Sequence, residues 1–165
     1  MNLNRSLFAL LCLIAAFICA PALRADIPPD QVKAAGAIPL TTELLDKMDK
    51  FIKAITADTA AKAELTEMGK DPSINPDNWA SVITAKCPKT VAVFKASDIT
   101  PDDFSKAIFA IMALSFSDDF AKSEDKTVKA NYDFLNANKD RANTIFGAFL
   151  ALSMPPDSAA PASTP

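Results

Sequence analysis

The stretch from Ile99 to Phe120, ITPDDFSKAIFAIMALSFSDDF, combines the clearest helix start in the chain with its densest apolar run. Thr100 can offer its hydroxyl oxygen to a free backbone N–H. Pro101 needs no N–H at the first helical position, and Asp102 and Asp103 bring negative charge to the positive end of the helix dipole. Ile99 and Phe104 fit a hydrophobic staple across that start. Wrapped at about 100° per residue, Phe104, Ala107, Ile108, Ile111, Met112 and Leu114 cover one broad face, with Phe109, Phe116 and Phe120 as a second stripe beside it. Only a narrow wedge around Lys106, Ala110 and Ser117 is polar or small. A helix apolar nearly all round is one buried among others. The stretch therefore predicts an all-α, single-domain bundle of five to six helices around a central apolar helix near 101–117.

The first 25 residues stand apart from this fold. Arg5 precedes an apolar run from Leu7 to Ile18, and small residues follow, the three-part pattern of a secretory signal peptide. Ala25 and Ala22 each offer a small residue at the cleavage position, and Ala25 is preferred. The run falls short of the roughly 20 residues that a membrane-spanning helix takes. Neither Cys12, after Leu10 and Leu11, nor Cys19, after Phe17 and Ile18, has the small residues that lipid attachment wants. The expectation is export to the periplasm or beyond, with no stable membrane anchor once the signal is removed. Cleavage at Ala25 would leave 15 basic residues against 20 acidic ones, moving the formal charge from −3 to −5. A mildly acidic domain without a basic cluster argues against nucleic acid as a partner.

Downstream, Pro28, Pro29, Gly36 and Pro39 predict a flexible N-terminal arm over 26–40. The bundle is expected over 41–153. Leu44, Leu45, Met48, Phe51, Ile52 and Ile55 make an amphipathic stripe, which weakens near Thr56–Thr59, resumes at Ala61, Leu65 and Met68, and stops at Gly69 and Pro72. The pattern leaves open whether 42–68 holds one helix or two. Asn75 and Pro76 open a helix carrying Trp79, Val82 and Ile83. Pro88 permits a short one with Val91 and Phe94, although Val91–Phe94 is also the best strand candidate in the chain. Ser123 is the expected cap of a helix with Glu124 and Asp125 in its first turn, and a last helix follows the break at Asn136 and Asn138. The Pro, Ala and Ser tail over 154–165 has no means of burying surface and reads as disordered.

There is no histidine in the chain. That removes the commonest general base, the commonest zinc and haem ligand, and the usual partner of Ser or Cys nucleophiles. With the signal gone, Cys87 is the one thiol left, so Cys-rich zinc sites, iron–sulfur clusters and an internal disulfide are excluded. Cys87 reads either as a small residue at a helix end or as a reactive thiol, its pKa lowered by Lys86 and Lys89. Asp71, Ser73, Asn75 and Asp77 alternate like calcium-loop ligands, but Pro76 takes the place of the turn glycine and Val82 that of the bidentate glutamate. Asp102–Asp103 and Asp118–Asp119 are adjacent pairs whose side chains diverge on a helix, so neither converges on one bond. No catalytic, cofactor or metal site is expected. An enzyme working with carboxylates and lysines alone has no spacing to support it.

The stripe of Phe109, Phe116 and Phe120, with Met112 nearby, is the feature that could form an apolar pocket or a docking surface, unless a second layer of helices covers it. At Ile99–Phe104 through Leu114, and again at Asn131-Tyr132-Asp133-Phe134 followed by Asn138, the chain resembles small uncharacterised exported all-helical proteins of Gram-negative bacteria. That resemblance implies a periplasmic location and brings no catalytic positions. The functional expectation is an exported binding or accessory protein whose partner is another exported protein. The alternative is a small carrier holding an apolar molecule such as a lipid in a pocket of Phe and Met.

Overall fold

The computed structural model describes residues 27–153. The expected signal peptide, its cleavage sites and the tail lie outside them. The fold is all-α. Eight α-helices and one 3-10 turn follow one another: α1 (Pro29–Ala35), α2 (Thr42–Ala57), α3 (Thr59–Met68), α4 (Trp79–Lys86), α5 (Pro88–Ala96), α6 (Pro101–Ser115), the 3-10 turn Asp118–Lys122, α7 (Lys126–Ala137) and α8 (Lys139–Ser153). The count exceeds the five to six helices expected, because the run over 42–68 is broken at Asp58 and a further helix forms over Pro29–Ala35. None of the described helices is long and apolar enough to cross a membrane.

Side-chain chemistry explains each break. Asp58 ends α2, and its carboxylate oxygen accepts from the N–H groups of Ala60 and Ala61 at 3.0 and 2.9 Å, so the same residue starts α3. This divides 42–68 into two helices. Asn75 accepts from Asp77 and Asn78 N–H, but it shapes a turn, and α4 begins only at Trp79. The cap of α7 is Asp125, bonded to the N–H groups of Thr127 and Val128, rather than Ser123; the residues before it take the 3-10 turn. Val91–Phe94, the strand candidate, is helical. The start of α6 is as read from sequence: Thr100 accepts from Asp103 N–H at 3.0 Å, and Asp102 pairs with Lys106 at 2.6 Å.

The turn from α5 to α6 reverses the chain without glycine. Ile99 N–H reaches back to Phe94 C=O and Asp98 N–H to Lys95 C=O, the paired bonds that close a helix through a left-handed residue. Asp98 occupies that position at φ 56°, the only positive φ at a non-glycine among the described residues. Ile99 and Phe94, which bracket the turn, are both buried.

Five aromatic rings from five helices meet in the core. Phe104 of α6 lies 4.8 Å from Phe51 (α2), 5.5 Å from Phe94 (α5), 6.1 Å from Trp79 (α4) and 5.4 Å from Phe149 (α8), measured between ring centroids. Phe51 and Phe94 stack at 3.9 Å. Central placement of α6 follows, with Phe104, Ala107, Ile108, Ala110, Ile111 and Leu114 all buried.

The wedge expected to stay at the surface is only partly there. Lys106 is exposed, but Ala110 is fully buried, and α1 packs along this helix. Residues 27–40 of the expected arm lie docked on the bundle: Ala35 and Leu40 are buried, and Asn131 of α7 bonds their backbone. The prolines here stop a long helix but leave room for the seven residues of α1, with Pro29 in the first turn.

Two stability measurements check this account. Phe104→Ala should lower the unfolding free energy by about 3–5 kcal/mol in a denaturant titration, since it removes the ring shared by four neighbours. Asp98→Gly should raise it by about 0.5 kcal/mol, because glycine takes the left-handed position without steric cost and the exposed Lys50–Asp98 pair contributes little.

Candidate interaction surface

The four residues of the expected apolar stripe separate in the structure. Phe120 belongs to the 3-10 turn and is completely buried, so it is core. Phe109 and Met112 are half-buried along α6. Phe116, at the C-cap of α6, is 46% exposed, and no other large apolar side chain among the described residues is as open. Helical spacing keeps Phe109, Met112 and Phe116 on one line. Phe120 leaves that line because the helix stops at Ser115, where Ser117 caps the 3-10 turn by accepting from Asp119 N–H.

Beside this line lies a shallow apolar dimple of about 20 Å³, walled by Trp79, Phe104, Ser105, Ile108, Phe109 and Phe149. A space of that size takes about one water-sized group, far below the roughly 300 Å³ at which small-molecule pockets begin. Its walls come from α4, α6 and α8, so the dimple is the outer rim of the aromatic core. The spacing of Trp79, Val82 and Ile83 shows only that they share a face of their helix. The place of Trp79 on the rim depends on α4 crossing α6, which periodicity within α4 cannot show.

A larger cleft of about 270 Å³ opens on another part of the surface, where Ile38 and Pro39 face the starts of α2 and α6. Lys47 stands in it among Glu43, Asp98 and Asp103. Its ammonium bonds Glu43 at 2.7 Å, and that carboxylate, with smaller help from the two aspartates, raises the lysine pKa above its ordinary value. The cation is thus satisfied from within the chain.

Cys87 is buried at the junction of α4 and α5 and forms no disulfide. Burial pushes its thiol pKa up, the Glu64 carboxylate adds to the rise, and Lys86 opposes it only in part. The expected lowering by Lys86 and Lys89 is therefore reversed, because desolvation of a thiolate outweighs an exposed ammonium nearby. Glu64 has a further task. Its Oε2 accepts from Lys89 and Thr90 N–H at 2.9 and 3.0 Å, capping α5 from a residue of α3. Cys87, the N-cap residue itself, makes no side-chain cap bond. A cap borrowed across 25 residues leaves no local sequence signal.

Asn131 was likewise outside the expected site residues. Its side chain is 2% exposed, accepts from Leu40 N–H at 2.7 Å, and donates to Ala35 and Ile38 C=O at 2.7 and 2.8 Å. The signal for it was present: Asn131 lies on the same helical stripe as Val128 and Leu135, and a polar residue on an apolar stripe must find partners when buried.

The acidic pairs have structural occupations. Asp102 pairs with Lys106 and Asp103 joins the Thr100 cap; Asp118 accepts from the Tyr132 hydroxyl at 2.9 Å, and Asp119 lies 3.5 Å from Lys122. Asp71 accepts from both the N–H and the hydroxyl of Ser73, which lowers its pKa, and Lys86 contributes less. Among the described residues no three acidic or cysteine side chains gather as metal ligands. Comparison with known proteins finds no matching family model, no similar curated protein and no similar solved structure.

The thiol supplies a pH test. Its folded-state pKa is raised above the ordinary 9.0, so the stabilisation of the protonated form is complete below that value and is lost as pH climbs through the folded pKa. Unfolding free energy measured from pH 7 to 10 should fall more steeply in the parent than in Cys87→Ala.

Proposed function

We propose that this chain is an exported accessory protein that binds another exported protein through the apolar line Phe109, Met112 and Phe116, with the adjoining rim of Trp79 and Phe149. The observation that carries this reading is the 46% exposure of Phe116 at the end of a helix otherwise sunk in the core. Half-buried aromatic and Met side chains around a shallow depression are the composition of protein-binding hot spots. The resemblance to small exported helical proteins and the three-part N-terminal pattern support a periplasmic or secreted location. On this reading the protein has no catalytic role, cofactor or nucleic-acid partner.

The carrier reading is favoured by the largely aromatic lining of the dimple. It also requires the aromatic rim to part, since about 20 Å³ does not accommodate an acyl chain.

The test is site-specific photocrosslinking in the producing cells, with the crosslinker at Phe109 or Phe116 and, as control, at the exposed Lys95 on α5. One discrete protein adduct at the first two positions and none at the third is expected, and Phe109→Ser introduced together with a crosslinker at Phe116 should reduce that adduct by about tenfold. Equal labelling at all three positions would overturn the proposal. Lipid released by solvent extraction of the native protein, without any adduct, would replace it with the carrier reading.

A further inference from the structure

The segment 27–40 is fastened unlike any other part of the fold. Helix α1 has seven residues, too few to persist unaided. Of the whole segment only Ala35 and Leu40 are buried, and its main packing partners are α6 and α7. None of the five clustered aromatic rings belongs to it. On the side of Ile38 and Pro39 it borders the open cleft of about 270 Å³, which Leu44, Lys47 and Asp103 also line. On the other side its backbone is held by the Asn131 amide, which satisfies Leu40 N–H and the carbonyls of Ala35 and Ile38 at once.

Gly36 packs closely on α7: a Cβ there would sit 3.1 Å from Val128 Cγ2. Its φ of −99° is open to any residue, so close packing on α7 is what calls for glycine.

We propose that residues 27–40 form a detachable strap with Asn131 as its catch, which opens as one unit while the aromatic centre stays folded. Three hydrogen bonds converge on one side chain, so they are lost together. The surface then uncovered includes Val128, Asn131 and the alanine side of α6, an apolar trough between two helices.

Native-state hydrogen exchange on the full chain, followed through increasing sub-denaturing urea, tests this. The Gly36, Ala37 and Leu40 amides are expected to exchange about 100-fold faster than those of Ile52 and Ile108, with a shallower urea dependence, as a sub-global opening requires. Asn131→Ala should abolish strap protection while Trp79 emission and the protection of α6 persist. Should that variant fail to fold, Gly36→Ala serves instead, with strap exchange about tenfold faster through crowding against Val128. One common exchange rate and one urea slope for strap and α6 would overturn the proposal, as would unchanged strap protection in both variants.

Discussion

Contact between Phe104 and the rings of Phe51, Trp79, Phe94 and Phe149 is what the remaining architecture depends on. Each ring comes from a different helix, and two of these helices are short: α4 has eight residues and α5 nine. Segments of that length are marginal by themselves in water. They hold their conformation because each contributes one large apolar body to a shared centre, where burying an aromatic side chain stabilises by about 1.5–3 kcal/mol. Edge-on and stacked geometries add further to this. The 3.9 Å stack of Phe51 on Phe94 joins α2 to α5, and Trp79 brings α4 to the same point.

Around this centre, polar groups act as fasteners between elements. Glu64 caps α5 from α3, Asn131 binds the strap from α7, and Arg141 of α8 pairs with Asp46 of α2 at 2.5 Å. The first two satisfy backbone groups that would otherwise be left unpaired in or near the interior, where an unmade hydrogen bond costs about 1–3 kcal/mol. The ion pairs within helices, such as Lys53–Asp49 and Lys106–Asp102, are exposed and contribute little.

What the sequence disclosed was whatever is encoded within one helix. Thr100, Pro101 and the two aspartates announced α6, and the stripe from Leu45 to Ile55 announced α2. Features that join elements distant along the chain were less visible. Phe120 continues the spacing of Phe109 and Phe116, yet the helix ends before it, so it turns inward. The prolines at 28, 29 and 39 suggested a loose arm, because periodicity cannot register a seven-residue helix held by an asparagine 91 residues away from Leu40. Lys86 and Lys89 beside Cys87 suggest an acidified thiol, whereas the burial that raises its pKa comes from packing between helices, and the Glu64 carboxylate that adds to it arrives from α3. The candidate surface was half legible: Phe109, Met112 and Phe116 on their helix, but not Trp79 and Phe149 on two others.

The glycine content of the fold has a thermodynamic corollary. The chain contains three glycines, and none adopts a positive φ; beside Gly36 and Gly69 at the ends of α1 and α3, its corners are built from Asp58, Asn75 and Asp125. Residues with a Cβ sample fewer backbone states before folding than glycine does. The denatured ensemble is correspondingly narrower, and less configurational freedom is surrendered when these tight corners form. A bundle with several short helices and many corners gives up less chain entropy in this way, and among the described residues no disulfide braces it.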